Sequence, residues 1–220
     1  RAGWGMHCTE LESRREMFEI AGGCDTYEPW RDRFVEKFTE ASVTSDMQDL
    51  FDDPSVELVS IATRSCDHFA HTMAALESGK IVFLEKPICR TYGEALGLKK
   101  AAKKYPGQLY IRHNRRFEPS FGAIREIINS GILGKLVQMK LARTSYGRRN
   151  DWQTLLEFGG GQLSNWGSHI IDHGLQFLGA PEKPLKSVHG FLARVAAVGD
   201  AEDHVKIMMS GADNAVVDIE

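Results

Sequence analysis

Ile81-Val82-Phe83-Leu84-Glu85-Lys86-Pro87 decides the fold class of this chain. Four apolar residues in a row, closed at once by charge, predict a strand buried on both faces, the kind found in parallel sheets. Ligands of open parallel sheets sit beyond the carboxyl ends of the strands, and Lys86 emerges there. An ammonium group in that position costs free energy unless something negative or polar meets it. Pro87 confines Lys86 to extended backbone and permits a cis bond, so the amine is aimed. A strand-end lysine reaching to water is the plain alternative.

Working outward, helical and strand patterns alternate on both sides of this run, which predicts βαβ units. Phe18 to Ala21 lead through Gly22-Gly23 to Cys24-Asp25, a short strand ending in an acid. Pro29 to Phe38 reads as a helix with Trp30, Phe34 and Phe38 on one face. Thr44 or Ser45 is the expected cap of a short helix holding Leu50 and Phe51. Strands are expected at Glu57–Ala62 and Gln108–Ile111, and helices at His68–Ser78, closed by Gly79, and Tyr92–Lys104. After His113 the pattern changes. A helix over Phe121–Asn129 is followed by longer, alternating strands at Leu136–Thr144, Ser187–Ala197, His204–Ser210 and Asn214–Ile219. These suit a mixed or antiparallel sheet covered on one face. The expected fold class is therefore α/β, with a parallel first domain over residues 1–112 and a second α/β domain over residues 113–220.

Composition narrows the function classes. The chain has 220 residues, 42% of them hydrophobic, and a net charge of −3. That balance argues against nucleic acid or an anionic membrane as the main partner. No stretch approaches the length of a membrane helix and no signal-peptide pattern opens the chain. Cys8, Cys24, Cys66 and Cys89 form no CxxC pair, which fits reduced thiols and a cytoplasmic setting. The chain reads as cut at both ends, so a leader peptide would be invisible.

Arg1-Ala2-Gly3-Trp4-Gly5 before a helical stretch is compatible with the tail of a GxGxxG turn, with Gly3 as its last glycine. Asp25 stands about 20 residues on, where an acid accepts hydrogen bonds from a ribose 2′-hydroxyl. A carboxylate there repels a 2′-phosphate and favours NAD, while Arg31 and Arg33 on the next helix leave NADP open. A second informative stretch runs from Gly159-Gly160-Gly161 to Asp172. Three glycines allow close backbone approach, and Ser164 is a plausible helix N-cap. Asn165, His169, Asp172 and Gln176 then fall at i, i+4, i+7 and i+11, a narrow polar stripe on a helix. Short hydrogen-bonding groups and an imidazole suit a cleft better than an ordinary solvent face. His169-Ile170-Ile171-Asp172-His173 also has the HxxDH spacing of a zinc-protease motif written with Asp; the βαβ half has no role in that chemistry, and no metal is expected. Tyr146 to Trp152, with Arg148, Arg149 and Asp151, reads either as a charged surface loop or as a loop over a ligand, with Trp152 as a platform for an apolar face.

With Glu85-Lys86-Pro87 upstream and the glycine-rich helix downstream, the chain resembles the Gfo/Idh/MocA family of nicotinamide-dependent oxidoreductases. Ala62-Thr63-Arg64-Ser65-Cys66-Asp67-His68 is similar to its strand-to-helix segment near the nicotinamide, with Arg64 where Pro is usual. Asn114-Arg115-Arg116-Phe117-Glu118-Pro119 is similar to its domain-junction motif. The resemblance implies a Rossmann domain followed by an α/β domain whose large open sheet serves substrate binding and oligomer contacts, as a homodimer or tetramer. It implies Lys86 and His169 as catalytic residues, and Gly3, Asp25, Thr63, His68, Glu85 and Lys86 around NAD. The implied reaction is hydride transfer with a secondary alcohol of a sugar, sugar derivative or cyclitol, with Asn165, Asp172, Arg116 and Trp152 at the substrate. Many members have Asp where Asn165 stands. That departure keeps a silent nucleotide-binding regulator as an alternative, and the resemblance also allows glycoside cleavage through transient oxidation by bound NAD, as some relatives perform it.

Overall fold

The computed structural model describes residues 3–145 and 147–220. Arg1 and Ala2 of the expected glycine turn, and Tyr146 of the expected loop, lie outside the described residues. The chain divides into two units, Arg1–Arg112 and His113–Glu220.

In the first unit a π-helical turn, Gly3–Cys8, leads into α1 (Thr9–Glu12). There follow β1 (Gly22–Cys24), α2 (Glu28–Lys37), β2 (Ser42–Thr44), α3 (Met47–Asp52), β3 (Leu58–Ile61), α4 (His68–Glu77), β4 (Ile81–Glu85), α5 (Tyr92–Lys104) and β5 (Leu109–Arg112). All the ladders are parallel: β1 pairs with β2, and β4 lies between β3 and β5. This is the parallel α/β arrangement expected from the Ile81–Leu84 run. Burial of β4 is uneven, however. Val82 and Leu84 are fully buried against Ala75 and Leu76 of α4 and Leu98 and Ala101 of α5, whereas Ile81 and Phe83 are half-buried. One face carries the helices, and Phe83 on the other meets the ring of His7.

Two local expectations need correction. Residues 42–44 form a strand although nothing in their sequence announces one. Three residues are too few to show a period, and the pairing is supplied by β1. Thr44 therefore belongs to β2 and does not cap α3. Asp46 caps it, accepting from the Gln48 amide at 2.9 Å, because Asp46 is the extended residue directly before the first turn. α5 starts where predicted, on a capping box in which Thr91 and Glu94 satisfy each other's backbone amides.

The second unit opens with a 3-10 turn, Asn114–Phe117, and α6 (Pro119–Asn129), then β6 (Gln138–Leu141). After the turns Trp152–Thr154 and Leu156–Phe158, a π-helical segment, Leu163–Gly167, runs into α7 (Ser168–Phe177). β7 (Leu185–Ala193), β8 (His204–Gly211) and β9 (Val216–Ile219) follow. The sheet order is β6-β9-β8-β7, parallel for β6–β9 and antiparallel elsewhere, hence mixed. Ile170, Ile171 and Leu175 of α7 pack on Ile207, Met209, Val217 and Ile219. Gly174 lets the helix come close: a Cβ there would lie 2.8 Å from Met209 Cε and 3.0 Å from Val217 Cγ1. Val188, Phe191 and Met208 of the same sheet are exposed. Among the described residues no helix is long and apolar enough to cross a membrane.

Candidate active site

Each unit contributes a distinct set of side chains. In the first, the candidates gather at the carboxyl ends of β3 and β4. Gly3 faces Ala62, which follows β3; an ideal Cβ on Gly3 would sit 3.7 Å from that of Ala62. Thr63 comes next, its hydroxyl 3.2 Å from His71 Nδ1. His68 is almost wholly buried, with Nδ1 2.6 Å from the Pro87 carbonyl and Nε2 3.2 Å from the Thr63 carbonyl. Burial lowers its pKa despite these carbonyls. The ring is thus neutral and has one N–H, which the shorter contact assigns to Pro87. His68 was expected beside the cofactor; its one N–H is committed to the Pro87 carbonyl, at the Lys86-Pro87 turn. The Lys86–Pro87 peptide is cis.

Glu85 needs a similar revision. Its side chain is buried, with Oε1 2.8 Å from His7 Nε2 and 3.1 Å from Arg112 Nη1, and Oε2 accepting from the Lys86 amide at 3.1 Å. Burial alone would raise its pKa, but the His7 hydrogen bond and the His7 and Arg112 charges outweigh that and hold it low. An ionised carboxylate so committed orients the backbone that carries Lys86; its acceptors are spent within the unit. Lys86 itself is half-buried. His7 and Arg112 were not singled out from sequence, since their pairing spans most of the unit. Asp25 follows β1, with Oδ1 accepting from the Tyr27 amide at 2.9 Å, and Arg31 donates to its backbone carbonyl at 2.8 Å. Arg33 lies over the Trp4 ring, 4.3 Å from its centroid.

The second unit builds its set around α7. Ser164 is not an N-cap: it lies inside the π-helical segment, and the carboxylate of Glu202 accepts from the Leu163 amide at 2.8 Å instead. An anion at a helix start offsets the amides left without partners there. Gly161 makes room for it. Its φ is +106°, and a Cβ would fall 2.3 Å from Glu202 Oε1. The glycine run therefore serves approach to a neighbour within the unit. Asn165 lies within the π-helical segment that runs into α7. Asn165 donates its amide to Gly161 and accepts from the Ser168 hydroxyl on its backbone carbonyl.

His169 is buried, with its ring edge-on to His113 at 5.7 Å and to Trp166 at 6.0 Å between centroids. Asp172, one turn on, is a hub. Arg116 grips both its oxygens, Nε at 2.8 Å from Oδ2, Gln176 Nε2 donates at 3.0 Å, and His113 Nδ1 stands 3.7 Å away. Burial pushes Asp172 up, but the Arg116 bonds, the His113 and Arg116 charges and the Gln176 bond together hold it below the usual carboxylate range. Arg116 and Asp172, expected to hold substrate hydroxyls separately, hold each other. His173 is equally committed: its ring stacks on Phe121 at 4.1 Å and Nε2 lies 3.1 Å from the Arg115 carbonyl. That removes a ligand from the HxxDH alternative, and no metal-holding group of three exists among the described residues. Trp152 begins a 3-10 turn steadied by Asp151 and is half-buried. The indole against His169 is Trp166, which sequence reasoning passed over although it lies three residues before the histidine. The guanidinium carbons of Arg115 and Arg143 both lie over its ring.

Residues 5–113 match the profile of the GFO/IDH/MocA oxidoreductase family, described as an NAD-binding Rossmann fold, and residues 121–220 match the profile of its C-terminal domain. The chain is similar to scyllo-inositol 2-dehydrogenase (NADP(+)) IolW of Bacillus subtilis, 35% identical over 66% of this chain and 41% of that protein. It is also similar to D-glucoside 3-dehydrogenase of Escherichia coli, 27% identical over 84% of this chain and 54% of that protein. The chain thus spans about half the length of these relatives or less. In fold it is similar to the WlbA dehydrogenase of Bordetella pertussis, solved with NADH and UDP-GlcNAcA: TM-score 0.88, 19% identity, covering all of this chain and 68% of that one.

Proposed function

Because this chain belongs to the Gfo/Idh/MocA family of oxidoreductases, we propose that it moves a hydride between a nicotinamide and a secondary alcohol carbon of a sugar, sugar derivative or cyclitol. The first unit is an NAD-binding Rossmann domain, and its residues fit the nucleotide. Gly3 carries no side chain at the helix entrance, and Asp25 follows β1 with an exposed carboxylate for a ribose hydroxyl. Bound nicotinamide supplies the hydride acceptor. The remaining tasks fall to side chains. His169 takes the hydroxyl proton as the carbon loses its hydride. Lys86 stabilises the negative charge that develops on that oxygen, and the Glu85 carboxylate fixes the backbone from which it projects. Asn165 and Trp152 orient the substrate. Sugar and cyclitol dehydrogenases among the relatives support the substrate class.

One observation carries the assignment of the base: His169 is a buried imidazole on α7, after the glycine run, with its ring edge-on to Trp166 and His113, and imidazole is the commonest general base. The test is NADH formation at 340 nm across a panel of polyols and sugars. Lys86→Met and His169→Gln should each lower kcat by about 100-fold or more with nucleotide affinity nearly unchanged. Unaltered turnover in Lys86→Met, with NAD still bound, would remove the mechanism.

A further inference from the structure

The indole of Trp166 collects positive charge. The guanidinium carbon of Arg115 lies 4.2 Å from its ring centroid and that of Arg143 lies 3.9 Å from it. The two cations thus stand within about twice that distance of each other, close enough to repel. The ring face attracts both, but it satisfies none of their N–H donors. A guanidinium keeps those donors in its own plane, where they match a carboxylate or phosphate edge. Arg115 directs one of them to Glu118. Arg116, its neighbour, is neutralised by Asp172. Among the described residues Arg143 makes no ion pair, and its side chain is exposed. Three guanidinium groups therefore face two carboxylates, and the surplus charge sits on the ring that abuts His169.

We propose that Arg143 and Arg115, mounted on Trp166, form a subsite for an anionic group carried by the molecule that His169 deprotonates. The substrate is then an acidic carbohydrate or cyclitol, bearing a carboxylate or a phosphate, and not a neutral polyol. The proposal rests on the functional reading above and narrows its substrate class. Structural glue alone would explain one arginine on the indole. It leaves unexplained why a second cation shares the ring with no carboxylate to offset it.

The experiment is calorimetric titration of the NAD-loaded protein at low ionic strength with matched pairs. These are D-glucose against D-glucuronate and D-glucose 6-phosphate, D-galactose against D-galacturonate, and myo-inositol against its 1-phosphate. At least one anion should bind about 10-fold or more tightly than its neutral counterpart, and the uronate and phosphate arms distinguish the two anions. Arg143→Gln should erase that preference and leave nucleotide affinity unchanged, Arg143→Lys should retain part of it, and added salt should narrow it. No preference in any pair, whether both members bind or neither does, overturns the subsite, as does a preference that survives in Arg143→Gln. Neutral sugars oxidised with no anion preference would leave the dehydrogenase reading standing alone. Arg143-dependent anion binding without NAD reduction would do the reverse.

Discussion

Glu85→Gln tests whether a buried carboxylate organises the end of β4. Glu85 and Arg112 are each about 5% exposed, with Oε1 and Nη1 3.1 Å apart. Opposite charges at that separation attract by roughly 5 kcal/mol at an effective dielectric near 20. Desolvation cancels much of this in the intact pair, but removing one partner leaves the other charge buried, at a typical cost of about 3–5 kcal/mol. Glutamine keeps an acceptor oxygen, and Glu10 remains beside the Arg112 guanidinium. The expected loss is therefore smaller, about 2–3 kcal/mol, with Glu85→Ala nearer the full value. Hydrogen exchange of peptides covering β4 and β5 measures it directly. Amides protected by local opening should exchange roughly 30- to 150-fold faster in Glu85→Gln. The sign with pH is also set. A carboxylate whose folded pKa is depressed contributes stability that is fully present above its unfolded value, about 4.3. That contribution fades as the pH falls through the lower folded value. The gap between wild type and variant should accordingly close in acid. A loss under 1 kcal/mol in Glu85→Ala, or a gap unchanged in acid, would refute the account.

Arg116→Gln removes the grip that keeps Asp172 ionised, so burial should dominate and its carboxyl titration, followed by carbon-13 NMR, should move upward from the wild-type value. Glu202→Gln should cost about 1 kcal/mol, read as a lower unfolding temperature of the second unit by calorimetry, because the Leu163 amide loses a charged acceptor. Gly174→Ala forces a methyl onto Met209 and Val217 and should cost about 1–3 kcal/mol in the same measurement, while Gly190→Ala, where the space is open, serves as its control.

Much of the architecture was legible because it is local. The Ile81–Leu84 run and the alternation in His204–Ser210 each state their structure within a few residues, and α5 begins and ends where the pattern says. β2 was invisible for the opposite reason: its three residues become a strand by pairing with β1. At the candidate site, Lys86 and His169 are proposed from motifs whose residues are close in the chain. Ser164 was misread as a cap because its usual rival, a carboxylate, arrives from 38 positions later.

Residue order alone determined which segments could be helix or strand, where the parallel half gives way to the mixed sheet, and which side chains are chemically able to move a proton or meet a growing charge. Tertiary structure decided which of those groups keep their capacity. Glu85, Asp172 and His68 all read as ligand-binding candidates, yet folding commits them to Arg112, Arg116 and the Pro87 carbonyl. Trp166, an unremarked aromatic in the chain, becomes the mount for two cations. Hydrophobic periodicity is written along the backbone and survives without a partner. A buried charge takes its meaning from whichever opposite charge the fold delivers to it, and that choice is made across tens of residues.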